Sequence, residues 1–146
     1  MNPKQFLQIG GIILILVGVL GFFLIGPTAE QSIFGENWWF DNPENWAHLV
    51  LGIVAVALAY AVKNAMLQKW VTIIVGVVAL IAGISGFVTP NFLGANMENP
   101  LDNILHLVIG VWALWAGFKK GGMAPMGMSG GMGGNMGGGM GGGIMK

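Results

Sequence analysis

The only two histidines in this chain sit in two closely similar phrases, NPENWAHLVLG (residues 42–52) and NPLDNILHLVIG (residues 99–110). On a helix, Glu44, His48 and Gly52 fall on one face at four-residue steps, and Asn45 precedes the histidine by three. Asp102, Asn103, His106 and Gly110 repeat the arrangement. An imidazole between a carboxylate and amide on one side and a glycine on the other suits a polar clasp. The acid and Asn hydrogen-bond the ring or the adjacent helix end, and the Gly admits a neighbouring helix. The alternative is a ligand site, in which His48 and His106 face each other and hold a b-type haem or a metal ion.

Other chemistry finds little support. Cysteine is absent, so thiolate catalysis, disulfides, iron–sulfur clusters and Cys-ligated zinc are excluded. No nucleophile–base pair can be read, and the expectation is a protein that is not an enzyme and has no catalytic residues. Arginine is also absent and the net charge is zero, which argues against nucleic acid as a partner. No Asp, Glu or Lys falls in the middle of an apolar run, so a proton relay or carrier site near a membrane midplane is not expected.

The setting for these phrases is a bilayer. Of the 146 residues, 55% are hydrophobic and 8% charged, against about a quarter charged in soluble domains. Four apolar runs stand out, at residues 6–25, 46–62, 70–88 and 104–118. A spanning helix needs about 20 residues. The second and fourth runs reach that length if Asn42 and Asn99 cap them and Pro43 and Pro100 take the first helical positions. Glu44 and Asp102 then complement the helix dipoles.

Lys4, Lys63, Lys69, Lys119, Lys120 and Lys146 occupy the N-terminus, the middle connection and the C-terminal tail. Glu30, Glu36, Asp41, Glu44, Glu98 and Asp102 occupy the first and third connections. The positive-inside rule therefore places both termini in the cytoplasm, for a protein integral to the cytoplasmic (inner) membrane. Trp38, Trp39 and Trp46 are expected as outer interface anchors and Trp70 as an inner one. Trp112 and Trp115 lie deeper and are expected to pack. The first connection, residues 27–44, is expected on the membrane surface with Ile33, Phe34, Trp38, Trp39 and Phe40 in the headgroups.

The chain also repeats itself. GIILILVGVLGFF (residues 11–23) aligns with GVVALIAGISGFV (residues 76–88), so that Gly11, Gly18 and Gly21 fall on Gly76, Gly83 and Gly86. The fold expected is all-α: a four-transmembrane-helix bundle made of two tandem helical hairpins in parallel orientation. Repeat 1 covers about residues 5–62 and repeat 2 about 70–118 of a domain at 1–120. Because the first run repeats the third, it reads as a retained span rather than a signal peptide. The glycines are read as helix-packing positions.

This organisation resembles small bacterial four-helix integral membrane proteins of unknown function that carry a duplicated Asn-x-x-His-Leu-x-x-Gly. The matching residues are Asn45, His48, Leu49, Gly52 and Asn103, His106, Leu107, Gly110. The resemblance implies a fold and no activity.

Residues 121–146 are a Gly/Met-rich stretch, expected as a flexible cytoplasmic tail. Met123, Met126, Met128, Met132, Met136, Met140 and Met145 are soft ligands suited to Cu(I). The segment also resembles the Gly-Gly-Met tails of group I chaperonins. The function expected is that of a structural or accessory membrane subunit, packing with lipid, with copies of itself or with another membrane protein.

Overall fold

The computed structural model describes residues 1–89, 91–97 and 100–119. Four helices carry the chain: α1 (Pro3–Gly21), α2 (Asn42–Ala61), α3 (Ala65–Gly86) and α4 (Pro100–Phe118). All four are long and apolar enough to cross a membrane. Their outward faces are large aliphatic side chains, among them Ile12, Leu16, Leu51, Ile53, Ile74, Ile81, Val108 and Val111, all exposed. A surface that apolar is at home in lipid and not in water. Those features identify a membrane protein.

Local signals start the helices. Asn2 and Gln5 form a reciprocal capping box ahead of α1, with Pro3 in the first turn. Asn64 caps α3 by accepting from Met66 and Leu67 N–H at 2.9 and 3.1 Å. At α2 the cap is Asp41, whose Oδ1 accepts from Glu44 N–H at 2.8 Å, and Asn42 is already helical. This corrects the expectation that Asn42 caps. Asp and Asn are comparable caps, and the proline tolerates either position in the first turn. Helix α1 also stops at Gly21, short of residue 25, although the apolar run continues. Ile25 instead turns beneath the first connection, 5% exposed.

The helices pack as two antiparallel pairs, α1 on α2 and α3 on α4, with fewer contacts between the pairs. Glycines set the approach. Gly11 and Gly52 meet backbone to backbone, as do Gly76 and Gly110. Gly18 lies against the Asn45 carbonyl and Leu49 backbone, and Gly83 against the Asn103 carbonyl and Leu107. The Asn45 side-chain amide fills the space beside Gly21, and that of Asn103 the space beside Gly86. Close backbone approach of this kind is what small residues permit in lipid.

The bundle has two unlike ends. At one, Phe6, Leu7, Ala59, Ala113 and Ala116 form a buried apolar cluster joined by Val71 and Val75, so all four helices contribute. Trp112 meets Phe6 edge-on at 4.8 Å. Gln68 Nε2 donates to the Val62 carbonyl at 2.7 Å and closes the α2–α3 turn. Lys4, Lys63, Lys69 and Lys119 lie at this end. The other end holds the connections α1–α2 and α3–α4, and with them Glu30, Glu36, Asp41, Glu44 and Asp102. The α3–α4 connection includes a two-residue ladder, β1 (Asn91–Phe92) with β2 (Ala95–Asn96), an element the sequence reading did not anticipate.

Gly18→Ala and Gly83→Ala should each destabilise the protein by about 1–3 kcal/mol through overpacking. A methyl on Gly18 would stand 2.6 Å from Leu49 N and one on Gly83 2.8 Å from the Asn103 carbonyl. Gly10→Ala meets only the Phe6 ring, no closer than 3.7 Å, and should be neutral or stabilising. Thermal unfolding in detergent micelles checks the contrast.

Candidate functional site

The acidic end carries the chemistry. Capping by Asp41 fixes the first turn of α2, which sends Glu44 and Asn45 in directions about 100° apart. Asn45 points at α1 and is fully buried, its Oδ1 against Gly21 and its Nδ2 donating to the Phe40 carbonyl at 3.4 Å. Asn103 does the same in α4, with Oδ1 against Gly86 and Nδ2 donating to the Met97 carbonyl at 3.1 Å. Each amide thus ties its own incoming connection to its helix. Of the two seats expected for these amides, the imidazole and the adjacent helix end, they take the second: three residues along a helix turns Asn45 and Asn103 onto the face shared with the neighbour inside the hairpin, against its last residue, Gly21 or Gly86.

Glu44 and Asp102 face across the pairs instead. Both are buried, at 3% and 2% exposure, and their carboxyl groups lie within hydrogen-bonding reach of one another. One turn further along, His48 and His106 meet, with ring centroids 6.0 Å apart and planes tilted by 33°. Asp102 does hold its own histidine, since its backbone carbonyl is hydrogen-bonded to His106 Nδ1 at 3.0 Å, with the Oδ2 carboxylate oxygen also 3.0 Å from that nitrogen but off the line of an ordinary hydrogen bond. Glu44 does not do this for His48. His48 Nδ1 is buried and makes no hydrogen bond of ordinary geometry.

The connections roof this cluster. Phe40 was expected in the headgroups, and the structure corrects that: it is 1% exposed and lies over the His48 ring at 5.2 Å. Its N–H donates to the Ile25 carbonyl at 3.0 Å, which draws the chain inward just before the α2 cap. Trp38 stacks edge-on behind Phe40 at 5.5 Å, and Ser32 Oγ donates to the Trp38 carbonyl at 2.6 Å. Ile33 and Phe34 remain exposed. Asp41 joins the two connections, because its Oδ2 accepts from Asn96 N–H at 2.8 Å. Phe40, Asp41 and Asn96 are the members of the site that sequence reasoning missed. Asp41, a good cap directly ahead of Asn-Pro, was the one readable signal.

Of the anticipated anchors, Trp46 and Trp70 are exposed, Trp46 with its ring edge-on to Phe22 at 5.3 Å, and Trp38 and Trp39 are half-buried. Trp115 is exposed beneath Lys119, whose Nζ stands 4.9 Å from the ring centroid. The methionines of residues 121–146, and the Cu(I) reading attached to them, lie outside the described residues.

Several buried polar atoms of the cluster lack ordinary hydrogen-bond partners: both Glu44 carboxyl oxygens, Asp102 Oδ2, Asn45 Oδ1, Asn103 Oδ1, His48 Nδ1 and Trp38 Nε1. Among the described residues no three His, Cys, Asp or Glu side chains are grouped to hold a metal ion. What the arrangement brings together is carboxyl and imidazole groups from the two helix pairs.

Asp41→Ala should cost about 1–2 kcal/mol through the lost cap and release Asn96 from the first connection. Hydrogen exchange followed by mass spectrometry should show faster exchange at Glu44 and Asn96 together.

No curated protein and no solved structure matches the chain. A family model described as Domain of unknown function (DUF4383) matches residues 4–119, a stretch that takes in both histidine phrases and every described helix but the first residue of α1. The chain belongs to the DUF4383 family.

Proposed function

We propose that this is a non-enzymatic integral membrane protein, a structural or accessory subunit that packs with copies of itself or within a larger membrane complex. Its two helical hairpins are tandem repeats in parallel orientation, fastened to each other by a polar clasp at the acidic end. The observation that carries the reading is the closure of Glu44, His48, Asp102 and His106 on one another across the hairpins, with a phenylalanine roof above. Support for the repeat comes from the paired glycine contacts, Gly11 on Gly52 and Gly76 on Gly110, and from the matched seats of Asn45 and Asn103. Support for association comes from the breadth of apolar surface left on every helix.

A second reading keeps a ligand at the histidines. The 6.0 Å separation of the rings favours it, because two imidazoles at that spacing from different helices could share a metal ion or, with the rings turned, a b-type haem. His48→Gln with His106→Gln separates the two. A clasp loses thermal stability or assembly without a change in visible absorption. A ligand site loses a Soret band, or a metal ion found one per chain in the purified protein. Native purification with mass spectrometry of co-eluting proteins and lipids tests the subunit role directly, and a monomer that carries only lipid would count against it.

In the orientation proposed, both termini and the α2–α3 turn face the cytoplasm of the inner membrane, on the distribution of lysines. The cysteine-free sequence makes this easy to test. A membrane-impermeant maleimide should label Glu30→Cys once the outer membrane is opened, and Asn64→Cys only after the inner membrane is permeabilised. The reverse pattern inverts the topology.

A further inference from the structure

We infer that Glu44 and Asp102 form a buried proton-binding site, in which one proton held between their carboxyl groups joins α2 to α4. The two acids come from different hairpins and are buried at 3% and 2% exposure, with their carboxyl groups in hydrogen-bonding reach. Two carboxyl oxygens can approach that way only with a hydrogen between them or a cation beside them. None of the described lysines can serve as that cation, because Lys4, Lys63, Lys69 and Lys119 all sit at the opposite end of the bundle. No ordinary donor reaches either Glu44 oxygen.

The groups around the pair fix where the proton rides. From the α2 cap, Asp41 faces Glu44, but its oxygens accept from the Glu44 and Asn96 N–H groups. From α4, His106 Nδ1 stands 3.0 Å from Asp102 Oδ2, while its hydrogen bond of ordinary geometry goes to the Asp102 backbone carbonyl at 3.0 Å. His48 lies beside His106, and Phe40 covers His48 with an apolar ring. An imidazole thus stands beside the Asp102 carboxyl, and among the described residues no cation or imidazole is paired with Glu44. The proton belongs to Glu44, whose O–H donates to Asp102, and one negative charge remains on Asp102, beside the His106 ring. Loading is simple protonation from solvent: one O–H bond forms on Glu44, and no other bond changes. A metal ion fits less well, because no third described ligand joins any pair. This site is independent of whether the chain assembles with partners.

Infrared spectroscopy of the full-length protein in lipid at neutral pH reads the proton directly. We expect the C=O band of a protonated carboxylic acid, shifted by deuterium oxide and by 13C labelling of glutamate side chains. Glu44→Gln should abolish the band and keep the wild-type fold, since an amide N–H replaces the O–H donor. Asp102→Asn should move or remove it. His48→Gln with His106→Gln should retain it, which separates this proposal from any failure of the histidine clasp. Absence of the band in the wild type, or a band indifferent to glutamate labelling, overturns the proposal without needing any variant to fold. One bound metal ion per chain with no acid band would replace the proton by a cation.

Discussion

A polar group between helices in lipid has no water to turn to, and each one in this bundle has to be answered by another part of the chain. The outward surface is aliphatic almost throughout, so lipid contact supplies little preference for one helix neighbour over another. What fixes the arrangement is a short list of groups that must meet: glycine backbones that need a flat partner, and acids, amides and imidazoles that need each other. Glu44 and Asp102 are the sharpest case, because none of the described lysines lies in their half of the bundle. Their meeting places α2 beside α4 at the acidic end, although the backbones of these helices approach far less closely than those within each pair.

The glycines and the polar cluster are one device. Gly21 ends α1 and leaves the space that the Asn45 amide occupies, and Gly86 does the same for Asn103. A larger residue at either position would push the amide out of its seat. Once seated, Asn45 holds the Phe40 carbonyl and Asn103 holds the Met97 carbonyl, so each connection is drawn down onto its helix. That pull carries the Phe40 ring over His48. The glycine spacing in α1 therefore determines, through an asparagine and a loop, what covers a histidine on α2.

Periodicity made much of this readable. The spans follow from hydropathy, and the shared face of Glu44 with His48, or Asp102 with His106, follows from four-residue spacing. What periodicity cannot supply is the direction in which a face points. Spacing alone leaves Asn45 and Asn103 free to meet either the imidazole or the adjacent helix end, and the three-residue offset places them toward the hairpin neighbour. Hydropathy likewise cannot see a turn made of apolar residues, so the run through residue 25 concealed the helix end at Gly21. Phe40 reads like any aromatic near an interface. Its burial depends on a backbone hydrogen bond to Ile25 that only the folded loop contains.

The two ends of the bundle hold together by different forces, and this separates what each can do. At the lysine end, Phe6, Leu7, Ala113 and Ala116 interlock in an apolar cluster that spans all four helices. Such packing has no switchable component, and its loosening would expose the core. At the acidic end, the contact between hairpins rests on two carboxyls and two imidazoles, groups whose attraction depends on where protons sit. The two hairpins are thus held by apolar packing at the lysine end and by carboxyl and imidazole groups at the acidic end.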